Sequence, residues 1–508
     1  MEMNYAKTVE KWGTLEVAVK GPKEGNPFCD QWIKGTFECK NEKKTVDGFY
    51  DGDGVYKVRF MPSFVDTYTF KIESSFQTES AEEVSGSFEA VAPSADNHGP
   101  VRVAGTYYLA YEDGKPYHCI GTTCYVWNLQ NEKLQEQTLK TLEENAFNKI
   151  RFCIFHYDYN LHEPITYPYE GTPCDTSELN ENNFAEYNGC APGNDWDFTR
   201  FNPAHFQHIE ECIKKLMALG IQADLIVMHP YDRWGFSMMK AEDDDRYWKY
   251  VLARFSAYRN VWWSLANEYD LMHEKTLADW ERYAAIICEK DPYHHLRSIH
   301  NCKAYYDYNL PWVTHCSIQR TETYRSSELV NEWREKYHKP VVLDEICYEG
   351  NIQFGWGNIS GEEMTRRFWE AFCRGGYPGH GETYLSPDRI LWWSHGGVLH
   401  GTSPERIKFL AKIMEETPGL GVEPMPCKWD EVACRAAGFP ARKDYFIYYY
   451  TFMRPSFRDF YFDDTTEYQV EIIDTWEMTI TDGGIHKGQF RVQLPGKEYI
   501  AVRIKAVK

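Results

Sequence analysis

Residues 261–270 read VWWSLANEYD, a run of bulky apolar residues that ends abruptly on the amide of Asn267 and the carboxylate of Glu268. VWWSL is apolar enough for a buried strand, and Asn267 and Glu268 then mark where that strand leaves the core for an open face. From about residue 101 the same grammar repeats, short apolar strands alternating with helical stretches, which is the pattern of βα units around a parallel sheet. Eight strands read in order: HCIGTTC, KIRFCIFH, IQADLIVMH, VWWSLANE, LRSIH, VTHCSIQ, PVVLDEI and YPGHGETY. Between them, HFQHIEECIKKLMALG sets Phe206, Ile209, Ile213 and Leu216 at helical spacing and ends on Gly220, suited to a helix C-terminus. Residues 101–418 are therefore expected to form a (β/α)8 TIM barrel, making the chain α/β.

The flanks read differently. Residues 1–95 alternate aromatic and β-branched runs with Gly, Pro and Asn turns (TLEVAVKGP, VYKVRFMP, TYTFKIES), as in a small Ig-like β-sandwich. The acidic GFYDGDG at 48–54 lacks the run of oxygen ligands a calcium loop needs and reads as a hairpin turn. APSADNHGP at 92–100 is a linker. After TPGLGVEPMP, residues 425–508 return to short strands and predict a second β-sandwich.

At 508 residues the chain is long enough for two or three domains. Its net charge of −21 argues against nucleic acid or an anionic membrane as partner, since both need a basic footprint. Oligomerisation stays open. No stretch of 18 apolar residues spans a bilayer, and no basic segment followed by an apolar run opens the chain, so with Met1 as the start the expected location is the cytoplasm. The 15 cysteines are scattered without CxxC pairs, as expected of free thiols in a reducing compartment.

In a βα barrel the strands' C-terminal ends build the open face. Those ends carry Thr122 and Thr123, Arg151 and His156, His229, Asn267 and Glu268, His300 and Asn301, Gln319, Glu345, then His380 and Glu382. Glu268 ends the fourth strand and Glu345 the seventh, on opposite sides of the mouth. Two carboxyl groups so placed suit glycoside hydrolysis, one protonating the leaving oxygen and one meeting the anomeric carbon. Trp127, Tyr157, Tyr231, Trp234, Trp356, Trp392 and Trp393 are aromatic candidates for stacking on a sugar face, each equally suited to core packing. His205 and His208 sit three apart on a helix without a nearby third ligand and read as a solvated face. Phosphate-loop and GxSxG motifs are lacking. Neither a cofactor nor a metal is expected.

Asn267–Glu268 at the end of strand four, Glu345 at the end of strand seven and Arg151 near strand two resemble the retaining glycosidases of glycoside hydrolase clan A. GNPF, GFYDGDGVYKVRFMP and GGYPGHGETYLSPDRILWWSHGGVLHG are similar to a bacterial group of this clan with flanking sandwiches. The resemblance implies Glu268 as acid/base, Glu345 as nucleophile, Asn267 on the sugar's 2-hydroxyl and Arg151 holding Glu345 ionised. It implies an oligosaccharide or glycoside substrate; His156, His229, His300, Gln319 and Glu382, read from their strand-end positions, and the aromatic Trp127 are candidates to contact it, together with Trp393, which the resemblance favours. The pattern departs at strand six, where Gln319 or a neighbour replaces the usual aromatic or His. Glu382 is a hydroxyl-binding group or a rival nucleophile. Two other readings compete: a sugar-binding scaffold without activity, and a metal-dependent hydrolase or isomerase using His156, His229 and His300.

Overall fold

The computed structural model describes residues 3–76, 84–157, 166–175, 191–320, 322, 324–387, 390–427 and 431–507. Much of the insertion after the second strand, expected to shape one side of the site, lies outside the described residues. Eight parallel strands form the centre: β1 (Gly121–Thr123), β2 (Lys149–Cys153), β3 (Gln222–Met228), β4 (Val261–Ala266), β5 (Arg297–Ser298), β6 (Cys316–Gln319), β7 (Val341–Glu345) and β8 (Tyr377–His380). Each pairs with its sequence neighbour, except that β5 and β6 meet only through a bridge between His300 and Ser317; β8 returns to β1, and the barrel closes.

VWWSLA is buried along its whole length. Two tryptophans are tolerated there because each indole N–H finds an acceptor, Trp262 on Gln222 Oε1 at 3.3 Å and Trp263 on Asp291 Oδ2 at 3.1 Å. Among the described residues seven helices of eight or more residues cover the barrel: α1 (Glu132–Glu144), α2 (Pro203–Ala218), α3 (Ala241–Phe255), α4 (Leu277–Lys290), α5 (Val330–Tyr337), α6 (Gly361–Cys373) and α7 (Ser403–Glu415). The connection from β5 to β6 runs through turns instead. Helix α2 follows its sequence closely. Asn202 caps its start, Pro203 occupies the first turn, Phe206, Ile209, Ile213 and Leu216 are buried, and Gly220 just beyond takes φ +73°. His205 corrects the solvated-face reading. It is fully buried, its Nε2 2.8 Å from the Ile154 carbonyl and its Nδ1 3.0 Å from Thr166, and burial lowers its pKa to about 4. His208, half-buried, meets the Asn128 carbonyl.

The N-terminal domain stacks a four-stranded sheet, including Leu15–Lys20 and Val55–Phe60, on a five-stranded one, including Ile33–Glu38, Asp66–Ser74 and Val84–Val91. GFYDGDG is a hairpin turn, Gly52 and Gly54 taking positive φ, and Asp51 is engaged by Lys57 and Arg254 at 2.8 and 2.7 Å. This domain meets the barrel through a buried ionic knot. Arg59 donates to both Glu210 oxygens at 2.6 and 2.9 Å, and Arg254 donates to Glu210 Oε1 at 2.7 Å. The C-terminal domain is a six-stranded antiparallel sheet with a two-stranded ribbon beside it. Its Val432, Cys434, Tyr445 and Ile447 continue the barrel's apolar core. All 14 cysteines among the described residues are free. Among those residues no helix is long and apolar enough to cross a membrane.

Candidate active site

The strand ends converge on a cavity of about 640 Å³, lined by Glu268 and Glu345 with Gln319, Tyr231, Tyr348 and Trp393 among others. The two carboxylates differ in their surroundings. Glu268 accepts from the Tyr231 hydroxyl and the Gln319 amide. Its backbone is left-handed, φ +51°, a conformation that a non-glycine residue holds only where its surroundings impose it. Burial first, then the charge of Glu345, raises its pKa to about 8, so near neutral pH it carries a proton.

Glu345 accepts from the Tyr125 hydroxyl and faces Arg151, whose Nη1 stands 3.4 Å away. Burial raises its pKa too, while Arg151 and the Tyr125 hydrogen bond pull it back down. Arg151 thus opposes the burial shift on Glu345 without cancelling it. Asn267 joins the two halves. Its Oδ1 accepts from Arg151 at 3.0 Å and lies 3.2 Å from the Tyr125 hydroxyl oxygen, and its Nδ2 is buried with no hydrogen-bond partner.

Beneath the carboxylates the barrel interior is ionic. Lys149 Nζ donates to Asp224 and Asp344 at 2.7 and 2.6 Å, and Arg151 Nε lies 3.8 Å from each of those aspartates. The short strand period explains the stack: Lys149 and Arg151, two apart on β2, point inward together.

Of the residues read from the sequence, Glu268, Glu345, Gln319 and Trp393 line the cavity, and Arg151 and Asn267 contact its carboxylate network. Tyr157, Tyr231 and Trp356 line it as well; Trp234 and Trp392 do not. Trp127 is fully buried and packs edge-on against Phe152. His229 sits between Phe155 and Tyr157, its Nε2 3.3 Å from the Phe155 carbonyl, and burial lowers its pKa to about 3. His156 packs among Tyr167, His205 and Trp234. His300 is buried with its pKa well below the usual value, from burial and then Arg151. Glu382 lies off the cavity and accepts from the backbone of His400 and Gly401. Aromatic packing and backbone hydrogen bonds take up His156, His229 and Glu382, which strand-end position alone assigns to the mouth.

Tyr125 and Tyr348 escaped the sequence reading. Tyr125 directly follows HCIGTTC, and Tyr348 stands three residues past Glu345, so each is a hydroxyl just beyond a strand end. Tyr125 stacks on Tyr157, ring centroids 4.7 Å apart, which fixes its hydroxyl toward Glu345. The Lys149–Asp224–Asp344 layer was legible only as charged residues inside otherwise apolar strands.

The apiosidase-like catalytic domain profile matches residues 104–418, and two domains of unknown function, DUF5060 and DUF5605, match residues 8–75 and 429–505. A crystal structure of a candidate glycoside hydrolase from Bacteroides vulgatus ATCC 8482 is 38% identical with a TM-score of 0.90, covering 99% of this chain and 100% of its own. A family 5 glycoside hydrolase from the same organism is 16% identical with a TM-score of 0.58, over 80% of this chain and 94% of its own, and so shares the fold. No curated protein matches the chain. The parallel barrel with its strand-end carboxylates, and a matching profile across 104–418, place the chain in the apiosidase-like family of glycoside hydrolase folds.

Proposed function

We propose that the chain is a retaining glycoside hydrolase in which Glu345 is the nucleophile and Glu268 the general acid/base. The carrying observation is that these two carboxylates, from opposite sides of the barrel, share one cavity, where burial and then the charge of Glu345 raise the pKa of Glu268. Such a pair holds one negative charge near neutral pH. Arg151 and the Tyr125 hydroxyl contact Glu345, so the charge resides there and the proton on Glu268.

In the first step a Glu345 oxygen forms a bond to the anomeric carbon as the glycosidic bond breaks and Glu268 protonates the departing oxygen. In the second, Glu268 takes a proton from water, whose oxygen displaces Glu345 and frees the sugar. Asn267 Nδ2 is a buried donor without a protein acceptor, which supports a role in holding a substrate hydroxyl. Trp393, Trp356 and Tyr231 offer stacking faces. The family description makes an apioside the first substrate to try. The free thiols support a reducing compartment.

Proton NMR of the first product from an aryl glycoside tests the mechanism. Retention of the substrate's anomeric configuration is expected; an inverted first product overturns the double displacement.

A further inference from the structure

Away from the cavity, two short strands bring together three side chains with no role so far. Glu349–Gly350 pairs in parallel with Glu382–Thr383, and Glu349 stands directly opposite Glu382. His380, two residues before Glu382, falls on the same side of extended chain. All three residues are buried, and a nitrogen of His380 and one oxygen of each carboxylate lie within 4.8 Å of one another.

Like charges directly opposite in a ladder repel, and burial sharpens the repulsion. After burial, the strongest influences on the two carboxylates are amides, hydroxyls, His380 and, for Glu382, Glu349, with no lysine or arginine among them. Glu349 accepts from Thr402 N at 2.7 Å and Ser403 N at 3.0 Å, where α7 begins, and Glu382 accepts from Gly401 N at 2.8 Å. These donors orient the carboxylates but bring no full positive charge. His380 Nδ1 is held 3.2 Å from Thr122 Oγ1, and its Nε2 is buried with no hydrogen-bond partner. A Cβ at position 401 would stand 2.5 Å from Glu349 Oε2 and 2.7 Å from Glu382 Oε2, so only glycine lets the main chain close over the pair.

A shared proton would relieve the repulsion yet leave Nε2 unused, whereas a cation satisfies both carboxylates and the imidazole. We infer that Glu349, His380 and Glu382 bind one divalent transition-metal ion, of the Zn2+ or Mn2+ class. One imidazole with two carboxylates suits such borderline ions better than Ca2+, which takes oxygen alone. The ion would clamp β8, the segment after β7 and the start of α7, four residues beyond Glu345.

The test is metal counting on full-length protein incubated with Zn2+ or Mn2+ and desalted, beside Glu382→Gln and His380→Gln. One ion per chain is expected in the parent and none in either variant. EDTA should lower the parent's Tm by several degrees, and the same ion should restore it. A parent that retains no stoichiometric ion, a Tm insensitive to EDTA, or undiminished metal in the folded variants overturns the inference. If a variant fails to fold, the parent's chelation and reloading decide the question alone.

Discussion

Tyr125, just past the end of β1, donates its hydroxyl to Glu345 at the end of β7 and also reaches Asn267 at the end of β4. One phenol therefore ties three strand ends together around the proposed nucleophile. The resemblance stated from sequence places the orienting group on strand six, yet here strand six supplies Gln319 to Glu268 instead.

Tyr125→Phe removes a hydrogen bond to a charged group, a change of about 1.5–3 kcal/mol, so kcat should fall roughly 10- to 100-fold. The hydroxyl lowers the pKa of Glu345. Its loss should move the acid limb of the kcat/KM profile to higher pH. An unchanged limb and rate would remove Tyr125 from the site.

Glu268→Gln should lower turnover roughly 100- to 10,000-fold on substrates with poor leaving groups, and much less on activated aryl glycosides that need little protonation. Azide should rescue Glu268→Ala on activated substrates. Glu345→Gln should abolish turnover on both kinds. The reverse pattern would exchange the two roles.

The raised pKa of Glu268, about 8, has a stability consequence of fixed sign. The unfolded chain ionises this group near 4.5 and the folded chain near 8, so the fold carries a penalty that is absent below 4.5 and complete above 8. Glu268→Gln should therefore raise Tm relative to the parent, increasingly so from pH 5 to pH 8. Thermal unfolding across that range checks it; a Tm difference that shrinks with pH would contradict a protonated Glu268.

Arg59 and Glu210 fasten the N-terminal sandwich to α2, both side chains nearly sealed from water. Arg59→Ala leaves Glu210 with Arg254 alone and should cost about 3–5 kcal/mol. Denaturant unfolding measures it. A loss under 1 kcal/mol would mean that water reaches the interface.

The sequence by itself determined the architecture and the two carboxylates. Apolar runs such as VWWSL have the length and flanks of buried strands, and eight of them alternating with helical periodicity leave few topologies. Asn267, Glu268 and Glu345 were legible because each interrupts apolar chain at a strand's end. What the tertiary structure alone decided is which polar groups meet. Strand-end position put His156, His229, His300 and Glu382 at the mouth, but none of them lines the cavity: His229 packs against Phe155, His156 against Trp234, and Glu382 accepts from the backbone near Gly401. Tyr125 joins Glu345 across 220 residues, and Lys149 joins Asp344 across 195. Glu349 and Glu382 become opposed only once their strands pair. Hydrogen bonds and charges act over a few ångströms, and which groups lie within that reach is set by barrel closure and register, which local patterns of apolar and polar residues do not encode.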